Sequence, residues 1–125
     1  MTDEPLKFVS DGMAALNLNY AFGQWEGKPI YPYFTGELQE EPADSEDGMQ
    51  KGDFILTGWH RGSWLDLETA KEDIENYFHR DGRTAIASNG NAVAVSYNRG
   101  FGIPTGDEEL KKIEIHLDVK EWKVT

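Results

Sequence analysis

A chain of 125 residues suits one domain with a single core. Its 23 acids against 12 bases give a formal charge of −11. No Lys/Arg cluster is present to neutralise phosphates, which argues against nucleic acid or an anionic membrane surface as partner. Cysteine is absent, so neither a disulfide framework nor a thiolate metal site can form, which fits a reducing cytoplasm. No apolar run approaches the ~20 residues a membrane span needs. The acids of "MTDEPLKF" suit neither a secretory signal nor a transit peptide, so a soluble protein is expected. Fifteen aromatic residues are expected to build much of the core.

The first segment reads as a helix, with Leu6, Val9, Met13 and Leu16 at spacings of three and four. Thr2 or Asp3 can cap it, Pro5 is tolerated in the first turn, and "NLN" (Asn17 to Asn19) ends it. Gly12 weakens its middle by about 1 kcal/mol relative to Ala. "YAFGQW" and "IYPYF" follow as extended segments, and Pro32 places the second at a sheet edge or at a bulge. Residues 37–53 hold Glu37, Glu40, Glu41, Asp44, Glu46, Asp47 and Asp53 against Lys51, and are expected to form an acidic mobile loop. The aromatic half of this stretch is expected to anchor in the core. "DFILTGW" (Asp53 to Trp59) is apolar on both faces and reads as a more central strand.

A second helix is marked by Leu67, Ala70, Ile74 and Tyr77 or Phe78, with Ser63 and Asp66 as a capping pair and Gly82 as its stop. "TAIASNGNAVAVSY" reads as a hairpin turning on Asn89-Gly90. Val93, Val95 and Tyr97 share one face of its second strand, and the small Ala92, Ala94 and Ser96 leave room for a helix on the other. The last strand alternates Ile113, Ile115, Leu117 and Val119 with Glu114, His116, Asp118 and Lys120. Trp122 and Val124 break that parity, and a bulge near Lys120–Glu121 would restore it. These elements predict an α+β fold: one domain (1–125), a mostly antiparallel sheet of about five strands, and two helices packed on one face.

Catalytic signals are sparse. Glu114, His116 and Asp118 share a strand face and could hold a cation or act as an acid/base, but a solvated outer face gives the same alternation. "DSEDG" (Asp44 to Gly48) lacks the bidentate Glu of a calcium loop, because Ile55 stands there. "RGFGIPTGDEEL" has glycines at 100, 102 and 106, but its following acids would repel a phosphate, so it reads as a flexible connector with Thr105 and Glu108 capping a single turn. "GWHRGSW" brings Trp59, His60, Arg61 and Trp64 together where a strand meets a helix. It reads either as an interface hot spot or as a core pair closing over the helix start, with Arg61 on a nearby carboxylate. No metal, cofactor or enzymatic activity is expected.

The succession "YPYFTGE", an acidic spacer, "FILTGWHRGSWLDLETAKEDI", "SNGNAVAVSY" and "GIPTGDEELKKIEIHLDVKEWKV" resembles, from about Leu6 to Val124, tailed-phage and prophage tail-completion proteins. These head–tail joining subunits are also labelled minor structural or minor capsid proteins. The resemblance implies an α+β sheet with two helices, no catalysis, and a monomer that assembles into a ring at the head-proximal end of the tail. Its partners would be copies of itself and the tail tube or head-connector proteins, with synthesis in a bacterial cytoplasm and a final place in the virion. It also implies that the loop mapped here to Glu37–Asp53 reaches neighbours. The interface candidates are Glu37, Glu40, Glu41, Asp44, Glu46 and Asp47 from this loop, with Trp59, His60, Arg61 and Trp64 from the "GWHRGSW" segment. Two rivals are an acidic inhibitor imitating nucleic-acid charge and a small enzyme using the Glu114–His116–Asp118 face.

Overall fold

The computed structural model describes residues 1–42 and 48–123. In chain order they form α1 (Glu4–Ala15), β1 (Asn19–Phe22), β2 (Tyr33–Glu40), β3 (Met49–His60), α2 (Trp64–Phe78), β4 (Arg83–Ile86), β5 (Ala92–Ile103) and β6 (Lys111–Trp122). The strands make a six-stranded sheet in the order β1-β2-β3-β6-β5-β4. Both helices contribute to one core, in which Val9 and Met13 of α1 and Leu67, Ile74 and Phe78 of α2 meet Phe34, Phe54, Leu56, Val95, Ile113, Ile115 and Leu117. The α+β class stands, but the sheet has six strands rather than about five, and it is mixed.

The mixture comes from β1, which runs parallel to β2 while the other pairs are antiparallel. Four residues span only about 13 Å, so the segment 23–32 can carry the chain back to start β2 in the same direction. Gly23 and Gly27 turn it at positive φ (86° and 82°). Asn19 closes its base by donating from Nδ2 to the Ile30 and Pro32 carbonyls at 3.1 and 3.2 Å. β1 is therefore the edge, and "YPYF" leads into an interior strand. The aromatic half divides accordingly. Phe34 enters the core, while Tyr33 takes the opposite face of β2, which no helix covers.

The expected acidic loop is narrower than 37–53. Glu37 to Glu40 pair with Gly52 to Ile55, and the Glu41 N–H donates to the Lys51 carbonyl at 2.9 Å. Leu38 packs against the core that holds Phe54, its partner across the ladder. Apolar burial on that side keeps the hairpin zipped while Glu37, Gln39 and Asp53 take the uncovered face. Asp44, Glu46 and Asp47 lie outside the described residues.

Each helix end follows from local chemistry. Thr2 Oγ1 accepts from the Glu4 N–H at 3.2 Å, whereas the Asp3 side chain makes no cap bond. Ser63 Oγ accepts from the Asp66 N–H at 3.4 Å. Ser63→Ala is expected to cost about 1 kcal/mol by urea denaturation. A second cap residue would be implicated by no measurable change. α2 stops at Phe78 rather than near Gly82. His79 takes φ 63° and donates its N–H to the Glu75 carbonyl at 2.8 Å. Its own carbonyl accepts from the Tyr97 N–H at 2.8 Å, which draws the chain onto β5 at once. Gly12 has a packing reason: a Cβ there would come within 2.8 Å of the Phe78 and Tyr77 rings, so glycine lets α1 touch the end of α2.

The β4–β5 hairpin is present, with a wider turn than Asn89-Gly90 alone. Ala87 donates to the Asn91 carbonyl at 2.8 Å, Gly90 donates to that of Ala87 at 2.9 Å, and only Gly90 of the pair has positive φ (88°). The helices lie on the Val93–Val95–Tyr97 side, so the small-residue face of β5 is the uncovered one. β5 continues through Ile103, and "RGFGI" is strand rather than connector. The bulge sits here, between Tyr97 and Arg99, and not at Lys120–Glu121. β6 keeps one register to Trp122, which leaves Glu121 on the core parity, 1% exposed; Val124 lies outside the described residues. Among the described residues no helix is long and apolar enough to cross a membrane.

Candidate functional site

The uncovered face of the sheet carries the most chemistry, and alternation along β2, β3, β5 and β6 decides what it displays. At one end an aromatic cluster crosses the strands. Tyr33 stacks on Trp59 with ring centroids 6.4 Å apart and planes at 22°. Trp25 and Tyr31 lie 5.1 and 5.6 Å from Tyr33. Cations rim it: Lys112 Nζ sits 4.7 Å from the Trp59 ring centre, and the Arg61 guanidinium 5.9 Å from that of Tyr31. A shallow groove of about 200 Å³ adjoins it, lined by Thr35, Glu37, Thr57, Trp59 and Lys112. Tyr and Trp rings with an Arg at their rim match the residue types enriched in protein–protein contact patches.

The "GWHRGSW" segment does not act as one unit. Trp59 faces outward within the aromatic cluster. His60 points to the core side, 9% exposed, with Nε2 2.8 Å from Asp66 Oδ2. A carboxylate only accepts, so Nε2 donates in this contact, while the buried Nδ1 has no hydrogen-bond partner. Gly62 makes room for this ring, since a Cβ there would collide with it. Arg61 is exposed and pairs with Asp107 at 3.4 Å. Trp64 opens α2 on the core side and covers Gly102, whose Cβ would come 3.2 Å from the indole. The two tryptophans thus part to opposite sides of the sheet. Glu37 and Glu41 are exposed, and Glu40 lies 3.5 Å from the Met1 amine.

At the centre of the same face His116 is 7% exposed, and its two nitrogens reach different carboxylates. Nδ1 lies 2.9 Å from Asp53 Oδ2 on β3, and Nε2 lies 2.8 Å from Glu114 Oε2 on β6. Phe101 of β5 stacks on the imidazole at 5.9 Å and 19°. Burial alone would lower the histidine pKa, but the hydrogen bonds and charges of Glu114 and Asp53 outweigh it and hold the value above the ordinary one. Asp118 is not part of this set; it accepts from Asn98 Nδ2 at 3.2 Å at the bulge. A ring between two carboxylates separates them rather than converging with them. Among the described residues no group of three His, Asp or Glu is placed to hold a metal. Sequence reading picked Glu114 and His116 and missed Asp53, which is 63 positions from His116.

The second feature missed is Glu121. Its carboxylate accepts from the Thr2 N–H at 2.9 Å, the Thr2 hydroxyl at 2.5 Å and Asn91 Nδ2 at 2.8 Å. It ties the start of α1 and the β4–β5 turn to the end of β6. The signal was parity: Glu121 continues the series Ile113 to Val119.

No family model matches the chain, and no curated protein does. Among solved structures its fold is similar to a chain in the virion of a native gene transfer agent particle, with TM-score 0.59. The match covers 88% of this chain and 83% of that one at 9% identity, a likeness of fold.

Proposed function

We propose that this protein is a non-enzymatic structural subunit of a phage-like particle that joins or completes the tail at its head-proximal end, assembling there as a ring. The observation that carries this reading is the likeness of fold to a virion chain over most of both chains. The order of sequence segments that resembles tail-completion proteins supports it independently. Copies of itself and tail-tube or connector proteins are then the partners, and the virion is where the subunit ends. The aromatic–cation cluster around Tyr33 and Trp59 is a suitable contact patch. The excess of acid keeps free subunits apart by mutual repulsion until a template is present.

The test is to mix the purified protein with tail tubes lacking this subunit and image them by negative stain. A ring capping one end of each tube is the expected result. Glu37, Glu41, Asp44 and Glu46 changed together to their amides should alter the salt dependence of capping while leaving the thermal midpoint unchanged. Bare tubes at every ratio of protein to tube would overturn the assignment. Capping with unchanged salt dependence in the amide variant would remove only the role of the acidic segment.

A further inference from the structure

We propose that Asp53, His116 and Glu114 form a proton-operated rivet on the uncovered face of the sheet, which secures the outer half of β5 while His116 is protonated and loosens it when the proton leaves. The geometry requires the charge. Both ring nitrogens face ionised carboxylates, which only accept, so both bonds exist together only in the imidazolium form. A neutral ring would turn a lone pair toward Asp53 or Glu114 at under 3 Å and leave two carboxylates without their cation.

The part of β5 beyond the bulge is the element poised to respond. β4 reaches only from Ala92 to Val95, so Arg99 to Ile103 are held by the β6 ladder alone. Gly100 and Gly102 give this stretch no side chains on the core side; what fixes it outward is Phe101 on the His116 ring. One-sided pairing and few apolar contacts mark a segment of low local stability. The other charged groups near His116 are known. Arg99 of β5 is its cross-strand partner and lies 5.9 Å from the Phe101 ring centre. Asp118 of β6 is held by Asn98, and Lys51 of β3 is two positions from Asp53. Arg99 is the only one of these other groups that lies directly opposite His116 in the ladder.

A raised histidine pKa fixes the sign: the rivet holds fully below the ordinary histidine value and is lost as pH rises through the elevated one. The experiment follows the His116 ring by NMR against pH, together with amide-exchange protection of residues 99–103. The titration should lie above that of an ordinary histidine and fall toward it in Asp53→Asn and in Glu114→Gln. Protection should drop by about tenfold for each unit of that elevation, and His116→Gln should make it independent of pH. An unelevated titration, one unmoved by either amide variant, or wild-type protection that ignores pH would each overturn the proposal. The two amide variants decide it even where His116→Gln folds poorly.

Discussion

Phe34→Ala is expected to destabilise the protein by about 3–5 kcal/mol, as a fully buried ring is lost and its cavity only partly collapses. The magnitude follows from how the ring is seated. Phe34 faces Gly58 across the β2–β3 ladder, and a Cβ on Gly58 would lie 2.5 Å from its Cε2 and 2.8 Å from Ile113 Cγ2. The ring thus lies over bare backbone. Gly58→Ala should cost about 1–3 kcal/mol in the native protein through overpacking. In the Phe34→Ala background the methyl no longer meets the ring and only the contact with Ile113 Cγ2 at 2.8 Å remains, so its cost should fall without vanishing. Urea denaturation of the four proteins in this cycle measures the coupling. Additive effects would mean that Phe34 does not occupy the space above Gly58.

Glu121→Ala is the second large effect, at about 3 kcal/mol or more, because it removes a buried acceptor from Thr2 and Asn91 and opens a void. Burial by itself would raise the carboxyl pKa, but the hydrogen bonds from Asn91 and Thr2 outweigh it and hold the value below the ordinary one. A depressed carboxylate contributes its stability above its unfolded pKa and loses it as pH falls through the folded one. The gap between wild type and Glu121→Gln should therefore narrow on acidification, read as urea midpoints from about pH 7 to about pH 3. A gap that stays constant would show that the network does not hold an ionised carboxylate. This dependence runs opposite to that of His116, so the two groups are separable by pH alone.

Much of the fold was legible because it is written in local periods. The spacing of Val9 and Met13, the stripe from Leu67 to Phe78, and the alternation from Ile113 to Val119 each bury the expected face. The Ser63–Asp66 cap, the central place of β3 and the hairpin over residues 84–97 rest on equally short-range chemistry. The candidate site was legible only in part. Trp59, Arg61 and Glu114 could be picked by residue type, but which side of the sheet each faces depends on parity within strands whose ends were not known.

The amino-acid order by itself determined two helices, the central stretches of most strands though not their ends, and the excess of acid around the β2–β3 connection, since each depends on residues a few positions apart. Only the tertiary structure decided that β1 runs parallel to β2, that Asp53 meets His116, and that Glu121 is buried rather than turned out by a bulge. Those outcomes rest on partners far apart in the chain, such as Thr2 with Glu121. A buried charge is tolerated only where such partners arrive to satisfy it.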